Sequence, residues 1–99
     1  MNFEVISEPI VKFDLIEIVH YYDSINKKYG TQFIEQFEKV EQLISDVPFG
    51  FVIKYKNVRT VKLKQFPYLV HYFIYETKKQ AVIIAITHTS RKPFDYTKR

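Results

Sequence analysis

Apolar positions in the first half of the chain recur at helical spacing, and those in the second half alternate or run together. Val11, Leu15, Ile18 and Tyr22 stand at i, i+4, i+7 and i+11, which lines one face of a helix. Ser7-Glu8-Pro9 precedes them, and proline is well tolerated in a first helical turn. Phe33, Phe37, Val40 and Ile44 repeat the spacing on a second helix, which Pro48 and Gly50 should end. The polar stretch from Asp23 to Gly30 holds the break between them. Because that link is short, the two helices are expected to form an antiparallel hairpin.

Strand patterns flank this hairpin. Residues 2–6 (NFEVI) alternate and are β-prone, which predicts a short first strand. Residues 58–64 (VRTVKLK) put Val61 and Leu63 on one face and Thr60, Lys62 and Lys64 on the other. Gln65 to Tyr68 reads as a turn, and residues 69–76 are apolar almost throughout. Glu76 to Gln80 reads as a second turn. Residues 81–88 (AVIIAITH) form the most β-branched run in the chain, the mark of a central strand. The segment from Thr89 to Arg99 is basic and aromatic without clear periodicity. The order β-α-α-β-β-β keeps helices and strands apart. It predicts an α+β domain with a helical hairpin packed on one face of a mainly antiparallel sheet.

Composition narrows the chemistry. Ninety-nine residues suit one domain spanning 1–99. With no cysteine there is no disulfide, thiolate metal site or thiol nucleophile. Three scattered histidines give no metal-ligand spacing, and two isolated glycines form no phosphate loop, so neither metal nor cofactor is expected. The start MNFEVISEPI lacks a basic stretch followed by an apolar run, so no signal peptide is expected. The longest aliphatic run, Ala81 to Ile86, is too short to span a bilayer, and a cytoplasmic location is expected.

The net charge of +4 hides an asymmetry. Residues 1–49 carry four lysines and nine acids, a net −5, and residues 50–99 carry eight lysines, three arginines and two acids, a net +9. A basic half of this size points to an acidic or polyanionic partner. The acidic helices and the basic strands are expected on different sides of the molecule.

Four segments carry a family resemblance. "DLIEIVHYY" ends a helical pattern in a double tyrosine, and "GTQFIEQFEKVEQLISDVP" forms a second helix with a proline stop. "VRTVKLKQFPYLVHYFI" joins an arginine, a basic strand, a Phe-Pro-Tyr turn and an aromatic strand, and "VIIAITHTSRKP" follows a strand with His88, Arg91 and Pro93. In this order they resemble the RelE/ParE superfamily of bacterial toxins, over nearly the whole chain. The resemblance implies the toxin of a type II toxin–antitoxin pair, held in check by a cognate antitoxin. It implies one of two modes of action: inhibition of DNA gyrase, as in ParE-like members, or metal-free cleavage of messenger RNA on the ribosome, as in RelE-like members. A basic module that only binds, without toxicity, is the third reading, and rests on charge alone.

A metal-free ribonuclease needs a base, an acid and cations for the developing phosphorane charge. By resemblance to the RelE-type site, Arg91, Lys62 and Tyr96 are its candidates here. His88, which ends the last strand, could serve as base or acid. Two cations of that site are replaced, an arginine by Leu69 and a lysine by Thr60. Each such loss costs on the order of 2–4 kcal/mol of transition-state stabilisation. That departure favours the ParE-like branch. Arg59 resembles the arginine opening the second strand of ParE-like members, and its aliphatic stem is expected over the edge of the core. With Lys64, His71 and Lys92 it completes the expected binding set. The antitoxin is expected to be acidic or amphipathic, to fold as it binds, and to wrap the basic side or lie beside the hairpin in a hetero-oligomer.

Overall fold

The computed structural model describes residues 3–90. Strand β1 (Glu4–Ser7) leads into α1 (Pro9–Ile25) and α2 (Lys27–Asp46). Four strands follow: β2 (Ile53–Tyr55), β3 (Val58–Lys62), β4 (Tyr68–Tyr75) and β5 (Gln80–His88). The sheet order is β1-β5-β4-β3-β2, with β1 parallel to β5 and the other neighbours antiparallel. This is the expected α+β architecture, with the hairpin on one sheet face. The structure adds β2, a strand of three residues that the sequence pattern did not mark. It is too short to show alternation and two of its residues are exposed.

The helix break is narrower than the polar stretch suggested. Asn26 alone links the helices: its N–H donates to the Tyr22 carbonyl at 3.0 Å, closing α1, and its side chain accepts from the Lys28 N–H at 3.0 Å, opening α2. Gly30 therefore lies inside α2, buried, where the helices approach closely. A Cβ at that position would run into the Asp23 carboxylate, so any larger residue must displace that side chain.

The inner faces are those the periodicity predicted. Val11 and Ile18 from α1, and Phe33, Phe37, Val40 and Ile44 from α2, pack on Val61, Leu63, Val70, Tyr72, Ala81, Ile83 and Ile86. Phe66 joins this core from the turn, where its ring meets Tyr22 and Phe33 edge-on at 5.0 and 5.2 Å.

β5 is apolar throughout because both of its faces are covered, and a bulge sets which face its last residues take. His71 pairs with Ala85 and Tyr72 with Ile83, so Ile84 has no partner across the ladder. The extra residue reverses the alternation. Ala81, Ile83 and Ile86 face the helices, whereas Val82, Ile84 and Ala85 join Val58 in a second buried cluster on the opposite face. Both faces are thus filled from one strand.

Arg59 and Tyr72, paired across β3 and β4, anchor the segment between α2 and β2. The Arg59 guanidinium donates to the carbonyls of Phe51 at 2.6 Å and Phe49 at 3.3 Å, and lies 5.4 Å from the Phe49 ring. The buried Tyr72 hydroxyl donates to the Pro48 carbonyl at 2.6 Å. Burial pushes the Tyr72 phenol up to about 12, with Arg59 pulling the other way. Its folded value exceeds the unfolded one near 10, so the contribution of this hydroxyl is complete below pH 10 and is lost as pH rises toward 12. Tyr72→Phe leaves the Pro48 carbonyl unpaired and is expected to cost about 1–3 kcal/mol in urea unfolding at pH 7. The variant is also expected to show a shallower decline between pH 10 and 12 than the wild type.

Candidate functional site

The strand register sorts the candidate residues onto two faces at one end of the sheet. Thr60 pairs with His71 and Lys62 with Leu69, and across β4 His71 pairs with Ala85 and Leu69 with Thr87. These residues share the face away from the helices. His88 pairs with Tyr68, whose parity is that of the core residues Val70 and Tyr72, so it stands on the helix side.

His71 sits in a closed polar network. It is 4 % exposed. One ring nitrogen, Nε2, lies 2.8 Å from the Thr87 hydroxyl, and Nδ1 lies 3.1 Å from the Tyr55 hydroxyl. Thr87 is buried as well, and the bulge brings it there. Without the shift at Ile84 it would share the parity of Ala81 and Ile83 and face the helices. A buried imidazole with both nitrogens engaged is a structural element of the sheet. It has no free nitrogen with which to take a proton from a substrate. Thr60 and Leu69 flank it on this face.

Lys62 and His88 are not brought together. They stand on opposite faces, with β4 between their strands, and strand spacing alone sets them about 10 Å apart. The Lys62 ammonium donates to the carbonyls of Leu63 at 3.1 Å and Phe66 at 3.4 Å, bracing the turn. That turn also carries Gln65 at a φ of 69°, in the left-handed region. The His88 Nδ1 accepts from the Ser90 N–H at 3.1 Å, which leaves the proton of the neutral ring on Nε2. Its ring meets Tyr68 edge-on at 5.2 Å, in a groove of about 750 Å³ shared with Tyr21 and Tyr22. Burial, then the neighbouring Tyr68 and Tyr21, raises the Tyr22 phenol above its ordinary value. Arg91, Lys92 and Tyr96 lie outside the described residues.

A second groove, of about 550 Å³, runs between α2 and the β3 edge. Its floor is Val40, Leu43, Phe51 and Val61, and Lys39, Lys62 and Lys64 rim it. β2 pairs with β3 at Val58 and Arg59, and the Thr60 N–H donates to the Val52 carbonyl at 3.4 Å, which leaves β3 beyond Thr60 as the sheet edge beside this groove. Among the described residues, Lys54, Lys56, Lys62 and Lys64 belong to the β2–β3 region, and Lys62 and Lys64 reach this groove. Among the described residues, no group of three histidine or acidic side chains could hold a metal ion, and no helix is long and apolar enough to cross a membrane.

Three features escaped the sequence reading. Tyr55, the partner of His71, lies on the unmarked β2. The Thr87 contact depends on a bulge that no residue type announces. The bonds from Arg59 to the Phe49 and Phe51 carbonyls were unforeseen, although its strand parity placed it correctly against the core.

The chain is thus a small α+β domain, a helical hairpin over a five-stranded sheet with a lysine-rimmed groove between α2 and the β3 edge. The chain belongs to the ParE toxin family: the model for the ParE toxin of type II toxin–antitoxin systems, parDE, matches residues 5–93. It is thus the toxin of such a system. The fold is similar to that in the structure of the chromosomal ParDE system from P. aeruginosa, with a TM-score of 0.75 and 17 % identity over 89 % of this chain and 97 % of that one. It is also similar to the isolated E. coli RelE toxin, with a TM-score of 0.65 and 14 % identity over 91 % and 87 % of the two chains. A search of curated proteins gave no significant match.

The network around His71 can be tested by a double-mutant cycle. His71→Leu alone strands the buried Thr87 hydroxyl and is expected to cost about 1–3 kcal/mol. His71→Leu with Thr87→Val removes both partners and is expected to cost less than the sum of the single changes in urea unfolding.

Proposed function

We propose that this toxin arrests growth by binding a protein target, inhibiting DNA gyrase in the ParE manner, and not by cutting messenger RNA. The supporting observation is the face around His71. It carries Thr60 and Leu69 where a RelE-type site has cations, and a histidine held in a buried hydrogen-bonded network. A phosphorane gathering negative charge there would meet neutral or apolar side chains. The family match to ParE toxins points the same way. In this reading Arg59 acts indirectly, by setting the segment from Pro48 to Val52, and Lys64 and Lys92 serve binding.

The partner in the resting state is a cognate antitoxin, as in the ParDE system that this fold resembles. The groove between α2 and β3 suits it. Its apolar floor takes one side of an amphipathic segment, its lysines take acidic residues, and the β3 edge accepts an extended backbone. Such a segment gives up conformational freedom on docking, which the buried apolar contacts must offset. Both interactions belong to the cytoplasm.

Induced expression in bacteria is expected to stop growth with messages intact and DNA-damage signalling raised, and the purified toxin to inhibit supercoiling by gyrase. New cuts inside translated codons, mapped as RNA ends after induction, would overturn the reading. For the antitoxin, Lys62→Glu with Lys64→Glu is expected to weaken binding of the small protein encoded beside the toxin gene by about tenfold or more at low salt. That loss should shrink as salt rises.

A further inference from the structure

α1 is apolar on two sides. Val11 and Ile18 are buried against the sheet, yet Phe13 is 68 % exposed and Ile16 is 56 % exposed on the far side. These apolar side chains stand among charged ones, on a side of α1 that the sheet does not cover. On the outer seam of the hairpin runs a groove of about 400 Å³, floored by Leu15, Ile16, Val19, Ile34 and Phe37. Ile34, on α2, is exposed as well. Contiguous apolar surface of this kind marks an interaction site.

The charge beside the groove is negative. Residues 9–46 carry seven carboxylates and four lysines. Glu38 and Glu41 stand one helical turn beyond Ile34 and Phe37 and therefore share their side of α2. Asp23 lines the groove on α1. Burial, and then the charge of Glu38, raises the Glu41 carboxyl above its ordinary value. That is the sign of a carboxylate lacking a strong cationic neighbour. Lys12 and Lys27, each a turn or two from the floor residues, only partly offset these acids.

We propose that this outer groove docks a basic amphipathic helix of a partner protein, its apolar side on Ile16 and Ile34 and its cations toward Asp23, Glu38 and Glu41. A second copy of the chain fits less well, because a symmetric contact would set the acidic rim against its own image. The site differs from the lysine-rimmed groove in position and in sign. It lies on the α1 side of α2, whereas the antitoxin groove lies on the β3 side. Partners of opposite charge can therefore occupy the two grooves together. The inference stands whether or not gyrase is the target.

The test uses the full chain and two labelled helical peptides of equal length, with leucines on one side and either lysines or glutamates on the other. In the Lys62→Gln, Lys64→Gln chain, whose other groove no longer attracts acidic segments, fluorescence anisotropy is expected to show the lysine peptide binding at least about tenfold tighter than the glutamate peptide. Ile16→Ser and Ile34→Ser, at exposed positions, should each weaken it about tenfold with thermal unfolding of the toxin little changed. Glu38→Lys keeps the apolar floor and should narrow or reverse the preference between the peptides. Equal binding of both peptides would overturn the charge argument. Unchanged affinity in the folded Ile16 and Ile34 variants would put the peptide elsewhere and overturn the site. A wild-type dimer in light scattering that Ile16→Ser converts to monomer would replace the partner with a second copy and overturn the proposal.

Discussion

β5 is buried on both faces, and one unpaired residue decides which face each of its last residues takes. A strand whose side chains strictly alternate would send every second residue of AVIIAITH to the helices. The bulge at Ile84 splits the run instead, with Ala81, Ile83 and Ile86 under the helices and Val82, Ile84 and Ala85 behind. The same shift turns Thr87 away from the helices and toward His71, and turns His88 back toward Tyr68 and α1. The surroundings of both histidines follow from that single change of phase.

The other end of the sheet is governed by a different pair. Arg59 and Tyr72 hold main-chain carbonyls of the segment that leaves α2. That segment carries Phe51, part of the floor of the lysine-rimmed groove. The groove depends on three hydrogen bonds made by two residues that do not themselves line it. A guanidinium suits the task, because its rigid fork reaches two carbonyls while its stem lies along the strand.

Most of the fold was legible in residue spacing. The helical faces at Val11, Ile18, Phe33, Phe37, Val40 and Ile44, and the strand faces at Val61 and Leu63, all lie where periodicity placed them. These are long segments in which many residues agree. β2 was not legible, because three residues cannot express a period and it is held by Arg59 pairing with Ile53 rather than by burial. The site was less legible than the fold. Lys62 could be assigned to a face, but its ammonium capping the Leu63 and Phe66 carbonyls could not be foreseen. His71 was expected in the binding set, and only the strand register supplied Thr87 and Tyr55 to decide its surroundings. A bulge is a difference between two strands, and one strand's sequence does not contain it.

The face around His71 bears on how a common fold can serve different modes of action. A cation cluster built to meet a phosphate needs water around it before substrate arrives, since ammonium and guanidinium groups are costly to bury unpaired. A histidine bridging two hydroxyls needs the reverse, a dry enclosure in which each polar atom finds its partner. The two arrangements compete for the same surface of β3, β4 and β5. In this chain Thr60 and Leu69 bring no charge to that surface, and Thr87 and Tyr55 supply the partners that let His71 be enclosed. The uncharged neighbours and the buried histidine are therefore one feature. Phosphate chemistry on this face would require opening the network as well as adding charges.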